Sequence, residues 1–287
     1  MELTRTSHAT ADDGTLLALH LTGDGDAAPL LCLPGGPMLD SGYFRDLGGL
    51  AAHRAIALLD LRGTGASGTP ADPASYRCDR QVADVESVRR HLGLDRLDLL
   101  AHSAGANLAY RYLERHPERV GRLLLVTPST RGVGVDTPDE ARSEIARQRS
   151  GEPWYAEASA ALARVQGGSE DEADWVGISP FMYGRWEDDV RAYEAWMNER
   201  RDDALAMAWG AEGAYDPEAT RAALSAHADP VLVLAGAQDS GNPPKVMAEV
   251  AALFPHAELV VQQGAGHFPW VDDPERFVEL VAAFLSD

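Results

Sequence analysis

The stretch Leu99-Leu100-Ala101-His102-Ser103-Ala104-Gly105-Ala106-Asn107 sets a serine after an apolar run and two residues before a glycine. This is the G-x-S-x-G pattern of a nucleophile elbow, with Ala101 in place of the first glycine. The residues two before and two after such a serine must be small, because strand and helix pass close together there. Ala101 meets that need and Gly105 is still glycine. A serine hydroxyl requires a base, and the base requires an orienting acid. Both follow in the order Ser, Asp, His. Asp239 ends Gly236-Ala237-Gln238-Asp239, and His267 ends Gln263-Gly264-Ala265-Gly266-His267, each in a loop just past an apolar run. A lone serine near a helix start is usually a cap, and a lone Asp in a Gly-rich loop is usually a turn residue. Three such residues at three run ends in this order point to acyl transfer. Leu33-Pro34-Gly35-Gly36-Pro37 adds a fourth part, in which the Gly36 N–H approaches a carbonyl oxygen beside the N–H of Ala104 as an oxyanion hole. This chemistry needs neither metal nor organic cofactor.

The elements that must position these residues are legible as alternating patterns. Leu3–Ala9 and Thr15–Leu21, joined by Asp12-Asp13-Gly14, read as a hairpin. Leu30–Leu33, Ala55–Leu61, Leu97–Ala101, Leu123–Thr127, Val231–Ala235 and Glu258–Gln262 have the length and composition of buried parallel strands. Between them, Asp79 is placed to cap a helix that carries Val82, Val85, Val88 and Leu92 on one face, with Gly93 just past its end. Alternating βα units predict an α/β fold with a doubly wound, mostly parallel sheet.

Residues 131–220 break the rhythm. They are rich in Trp, Tyr, Ala and charge, contain no convincing strand, and read as several short helices. Inserted between two strands at the carboxyl end of the sheet, they predict a helical cap, or lid, over the ligand crevice. The expected organisation is a core of residues 1–130 and 221–287 with a cap of 131–220. This segment has 20 Asp and Glu against 9 Arg, net −11 of the chain's −20. So acidic a chain argues against nucleic acid and anionic membrane as partners, both of which need basic patches. No apolar run approaches the length that spans a bilayer, and Met1-Glu2-Leu3-Thr4-Arg5 has no apolar core behind it, so a cytoplasmic protein is expected. Cys32 and Cys78 lack metal-ligand spacing and are expected to be reduced thiols. Gly63-Thr64-Gly65-Ala66-Ser67-Gly68 matches G-x-G-x-x-G, but Pro70 and Pro73 follow where a dinucleotide fingerprint must open a helix.

Taken together, these motifs resemble the α/β-hydrolase superfamily and, within it, the proline iminopeptidase-like branch, over the full length apart from the cap. Pro34-Gly35-Gly36-Pro37 is similar to that branch's H-G-G-P-G, with Pro34 for the leading histidine and Met38 for the final glycine. Asp60-Leu61-Arg62-Gly63-Thr64-Gly65-Ala66-Ser67 is similar to its D-x-R-G-x-G-x-S loop, and Gly266-His267 to the G-H at its catalytic histidine. The resemblance implies a serine hydrolase with the triad Ser103, Asp239 and His267, acting on a small-molecule or short-peptide substrate. It also implies that lid carboxylates hold the substrate's free α-amino group, one of them in a Trp-Glu pair, for which Trp186-Glu187 is the match. A serine at 103 disfavours dehalogenase and epoxide-hydrolase chemistry, which would place Asp there. The activities expected are an aminopeptidase or, alternatively, a small-molecule esterase, lactonase or thioesterase. An intact Ser, Asp and His set argues against a pocket that only binds.

Overall fold

The computed structural model describes residues 5–23 and 28–286. Among the described residues eight strands form one sheet: β1 Arg5–Thr10, β2 Leu16–Thr22, β3 Leu30–Leu33, β4 Ile56–Leu59, β5 Leu97–His102, β6 Val120–Val126, β7 Val231–Gly236 and β8 Ala257–Gln262. Their order is β1-β2-β4-β3-β5-β6-β7-β8. The hairpin β1–β2 is antiparallel, as is β2 against β4, and every later pair is parallel. Of the expected hairpin, Leu3 and Thr4 lie outside the described residues.

Side chains alternate across a strand, so the central strands divide between two layers. Leu31, Leu33, Leu99, Ala101, Leu123, Leu125, Val231 and Val233 face one layer, and Leu30, Cys32, Leu100, Leu124, Val126, Leu232 and Leu234 face the other. The first layer is closed by α1 (Val82–His91) and α2 (Gly105–Arg115) through Val82, Val85, Val88, Leu108 and Leu113. Asp79 does not cap α1. Gln81 holds the cap position without a side-chain bond, and Asp79 instead pairs with Arg77 at 2.5 Å, because a flanking arginine offers a stronger, charge-assisted partner than a backbone N–H.

Between β6 and β7 stand α3 (Asp139–Arg147), α4 (Tyr155–Gln166), α5 (Glu172–Gly177), α6 (Asp188–Asn198), α7 (Asp203–Trp209) and α8 (Pro217–Ala226). The compositional boundary at 220 falls inside α8, whose Thr220 hydroxyl bonds Glu114 of α2 at 3.2 Å and whose Leu224 joins the first layer. α9 (Pro244–Ala251) adds Val246 and Val250 to that layer. After the short α10 (Pro269–Asp272), α11 (Pro274–Ser286) closes the second layer with Phe277 and Val281. Cys32 and Cys78 are free and buried. No helix among the described residues is long and apolar enough to cross a membrane.

The loop after β4 is a knot rather than a phosphate cradle. The Asp60 carboxylate accepts from Ala66 N–H, His20 Nε2 and both the N–H and hydroxyl of Ser41, at 2.7–2.9 Å. These donors hold it ionised, below the usual carboxylate range despite its burial. A β-carbon on Gly65 would lie 2.2 Å from that carboxylate, which explains the glycine there. Arg62 is buried in the same knot and paired with Asp84 and Asp13.

Candidate active site

The register that aligns Leu33 with Ala101, His102 with Val126 and Gly236 with Gln262 brings four loop starts to the carboxyl edge of the sheet. Ser103 stands between β5 and α2 at φ +49°, a left-handed conformation uncommon for a residue with a side chain. Bonds at both its ends hold that turn: its N–H donates to Val126 O, and its carbonyl accepts from Ala106 and Ser129. A β-carbon on Gly105 would meet Leu33 O at 2.4 Å, so glycine is required on the helix side. The strand-side methyl of Ala101 is simply buried in the first layer.

Asp239 is fully buried in the turn after β7. Its Oδ1 accepts from the N–H groups of Gly241 and Asn242 at 2.8 and 3.0 Å, and its Oδ2 accepts from His267 Nδ1 at 2.7 Å. Facing a carboxylate, Nδ1 carries the proton, which leaves Nε2 with a lone pair. Ser103 and His267 border one cavity of about 400 Å³. No hydrogen bond joins them among the described residues; in hydrolytic sites that contact tightens when substrate arrives. Gly36 and Ala104 border the same cavity. The N–H of Gly35 is committed to Tyr43 Oη at 2.7 Å, while Gly36 is exposed to the cavity. Ala104 is the cap residue of α2, whose N–H has no partner within a helix.

His102 has a place in the site that the sequence reading did not assign. Its Nε2 lies 3.0 Å from the His267 carbonyl, so Nε2 is protonated and Nδ1 accepts from the Tyr43 hydroxyl at 2.9 Å. Burial and the neighbouring His267 hold His102 well below the usual histidine value, and therefore neutral. The chain Gly35 N–H to Tyr43 to His102 to His267 C=O ties the glycine loop, the elbow and the histidine loop together. The available signal was alternation: Leu100 and His102 share a strand face, which buries the ring.

Glu187 and Trp186 are not brought to the cavity, contrary to expectation. Glu187 opens α6 with its side chain 72% exposed and pairs with Arg185 at 3.1 Å, while Trp186 packs on Tyr183. A carboxylate at the cap position points to solvent, where hydration and the half-buried Arg185 satisfy it. The carboxylate that does border the cavity is Glu194. It is buried and accepts from Ser179 Oγ, Tyr183 Oη and Asn198 Nδ2 at 2.6–3.2 Å. The buried side chains of α6 are Val190, Tyr193, Glu194 and Met197, so helical spacing marked Glu194 as inward-facing.

The family model of the alpha/beta hydrolase fold matches residues 28–274. A proline iminopeptidase from Lactobacillus delbrueckii subsp. bulgaricus is 30% identical over 281 residues, covering 91% of this chain and 90% of its own length. An N-formylmaleamate deformylase from Pseudomonas putida is 27% identical, covering 93% of this chain and 92% of its own. The solved proline iminopeptidase from Mycobacterium smegmatis superposes with a TM-score of 0.76 at 22% identity, covering 98% of each chain.

Proposed function

The chain belongs to the alpha/beta hydrolase family and is a proline iminopeptidase-like hydrolase, and from this we propose that it cleaves a small ester or amide through an acyl-enzyme on Ser103. The reading rests above all on one observation, the Asp239–His267 bond of 2.7 Å beside a cavity that a strained serine borders. His267 Nε2 takes the hydroxyl proton as Ser103 Oγ attacks the carbonyl carbon. The N–H groups of Gly36 and Ala104 receive the oxyanion, and Asp239 stabilises the imidazolium. Collapse expels the leaving group, which takes the proton from His267. Water, deprotonated by the same nitrogen, then releases the acid and restores Ser103.

A second reading, an aminopeptidase of the proline iminopeptidase type, is favoured by Glu194. It is a buried carboxylate on the cavity wall with no cation within ion-pair distance among the described residues, and it has the chemistry to receive a substrate ammonium.

The test is a fluorophosphonate probe with mass mapping, run beside turnover of aminoacyl arylamides with free and acetylated amines and of aryl esters of matched size. Labelling at Ser103 alone, and no turnover by Ser103→Ala, are expected. An active Ala variant or a label elsewhere overturns the assignment. A preference for free-amine arylamides that Glu194→Gln abolishes selects the aminopeptidase.

A further inference from the structure

The charged groups around the cavity run against the composition of the segment that supplies them. Residues 131–220 are net −11, yet they border the cavity with Arg131, Arg142 and Arg201 and with a single carboxylate, Glu194. The acidic excess lies elsewhere on the segment. Glu194 already accepts three hydrogen bonds. Arg142, on α3, is half-buried and commits Nη1 to the carbonyls of Gly241 at 2.8 Å and Ser240 at 3.5 Å. Among the described residues no carboxylate stands within ion-pair distance of it. Asp139, one turn earlier, does not reach it, and the oxygens of nearby Asp239 are taken by His267, Gly241 and Asn242. Burial pulls the Arg142 guanidinium below its usual range, and the charges of Asp239 and Asp139, neither of them in ion-pair contact with it, offset this only in part.

A half-buried guanidinium with most of its planar fork unspent, facing a cavity, is built to receive an anion, since a desolvated cation is costly until it is paired. Arg131 and Arg201 are exposed and have no ion-pair partner among the described residues, so they extend the positive field to the rim. We propose that the substrate of this site carries a carboxylate, received by Arg142 with Arg131 and Arg201 at the mouth. This assignment rests on the hydrolase reading for its chemistry, but not for its binding.

Two measurements test it. Calorimetry on Ser103→Ala protein compares adipate with dimethyl adipate and hexamethylenediamine, an anion, a neutral molecule and a cation of matched length. Adipate is expected to bind best, and Arg142→Gln to weaken it by roughly ten- to a hundredfold, with Arg142→Lys recovering part. In turnover, the monoaryl ester of adipic acid is set against its methyl-capped diester, and the butyrate ester of carboxyphenol against that of phenol. In at least one pair the acid is expected to have the higher kcat/KM, and Arg142→Gln to lower that ratio by a similar factor. Equal losses on acid and neutral partners mean that Arg142 only braces the Gly241 turn, and they overturn the proposal. So does stronger binding of the diamine, or equal binding of adipate and its diester. If these fail while fluorophosphonate still labels Ser103, the hydrolase reading stands alone. If adipate binding depends on Arg142 but Ser103 is neither labelled nor needed for turnover, the carboxylate site stands and the hydrolase reading falls.

Discussion

Tyr43 is the residue whose removal should be most revealing, because its hydroxyl bridges two buried groups on different loops. Tyr43→Phe leaves Gly35 N–H and His102 Nδ1 without the partners they hold at 2.7 and 2.9 Å. Stranding buried polar groups costs about 1–3 kcal/mol each, so the variant should unfold at lower urea concentration. The same hydroxyl orders the glycine loop against the elbow, so kcat should fall while KM changes little, which a purely structural loss would not produce. An unchanged kcat in the folded variant would remove Tyr43 from the positioning chain. The places of Ser103, Asp239 and His267 at one edge of the sheet were legible because each signal is local: an elbow, or a loop past a strand. The place of His102 was not, because it depends on Tyr43 and on the His267 carbonyl, both distant in sequence. Glu187 misled for the converse reason. A Trp-Glu pair is a local signal, but which way a cap residue points is decided by the packing of the whole helix.

Strand identity was likewise readable from buried apolar runs, whereas strand order was not, since no run states its neighbour. The element that best shows tertiary control is α10, where Asp272 accepts the Gly266 N–H at 2.7 Å, next to His267. Burial raises this carboxyl from 3.8 to about 6, overcoming the hydrogen bonds that lower it. A folded value above the unfolded one means that the native state binds the proton more tightly. Its stabilising contribution is therefore complete below 3.8 and lost as pH rises through about 6. Asp272→Asn keeps an oxygen for Gly266 and cannot ionise. Urea unfolding should show the variant gaining on wild type as pH rises across that window and holding the gain above it. A difference independent of pH would mean that Asp272 does not titrate there.

For the molecule as a whole, a net charge of −20 opposes a positively lined cavity. Long-range repulsion of an anionic ester is screened by salt, with a Debye length of about 10 Å at 0.1 M, while the half-buried Arg142 is screened less. Raising ionic strength from about 10 mM to about 0.1 M should therefore raise kcat/KM for the monoaryl adipate and leave its neutral diester level. A fall for the acid would mean that the rim arginines govern the approach. One backbone contact also bears on how such enzymes exchange parts. His267 N–H donates to Met182 O at 2.7 Å, and a β-carbon on Gly184 would lie 1.7 Å from Gly264 O, so the stretch 181–184 is interlocked with the histidine loop. The inserted helices are thus not one detachable cassette. A chimera that imports a relative's helices on either side of 179–185 but retains that stretch should still react with fluorophosphonate, whereas one that replaces the stretch as well should fold around a misplaced base and lose reactivity. Recombination among relatives would then cross over on both sides of this short tether, which would be inherited with the sheet rather than with the helices that surround it.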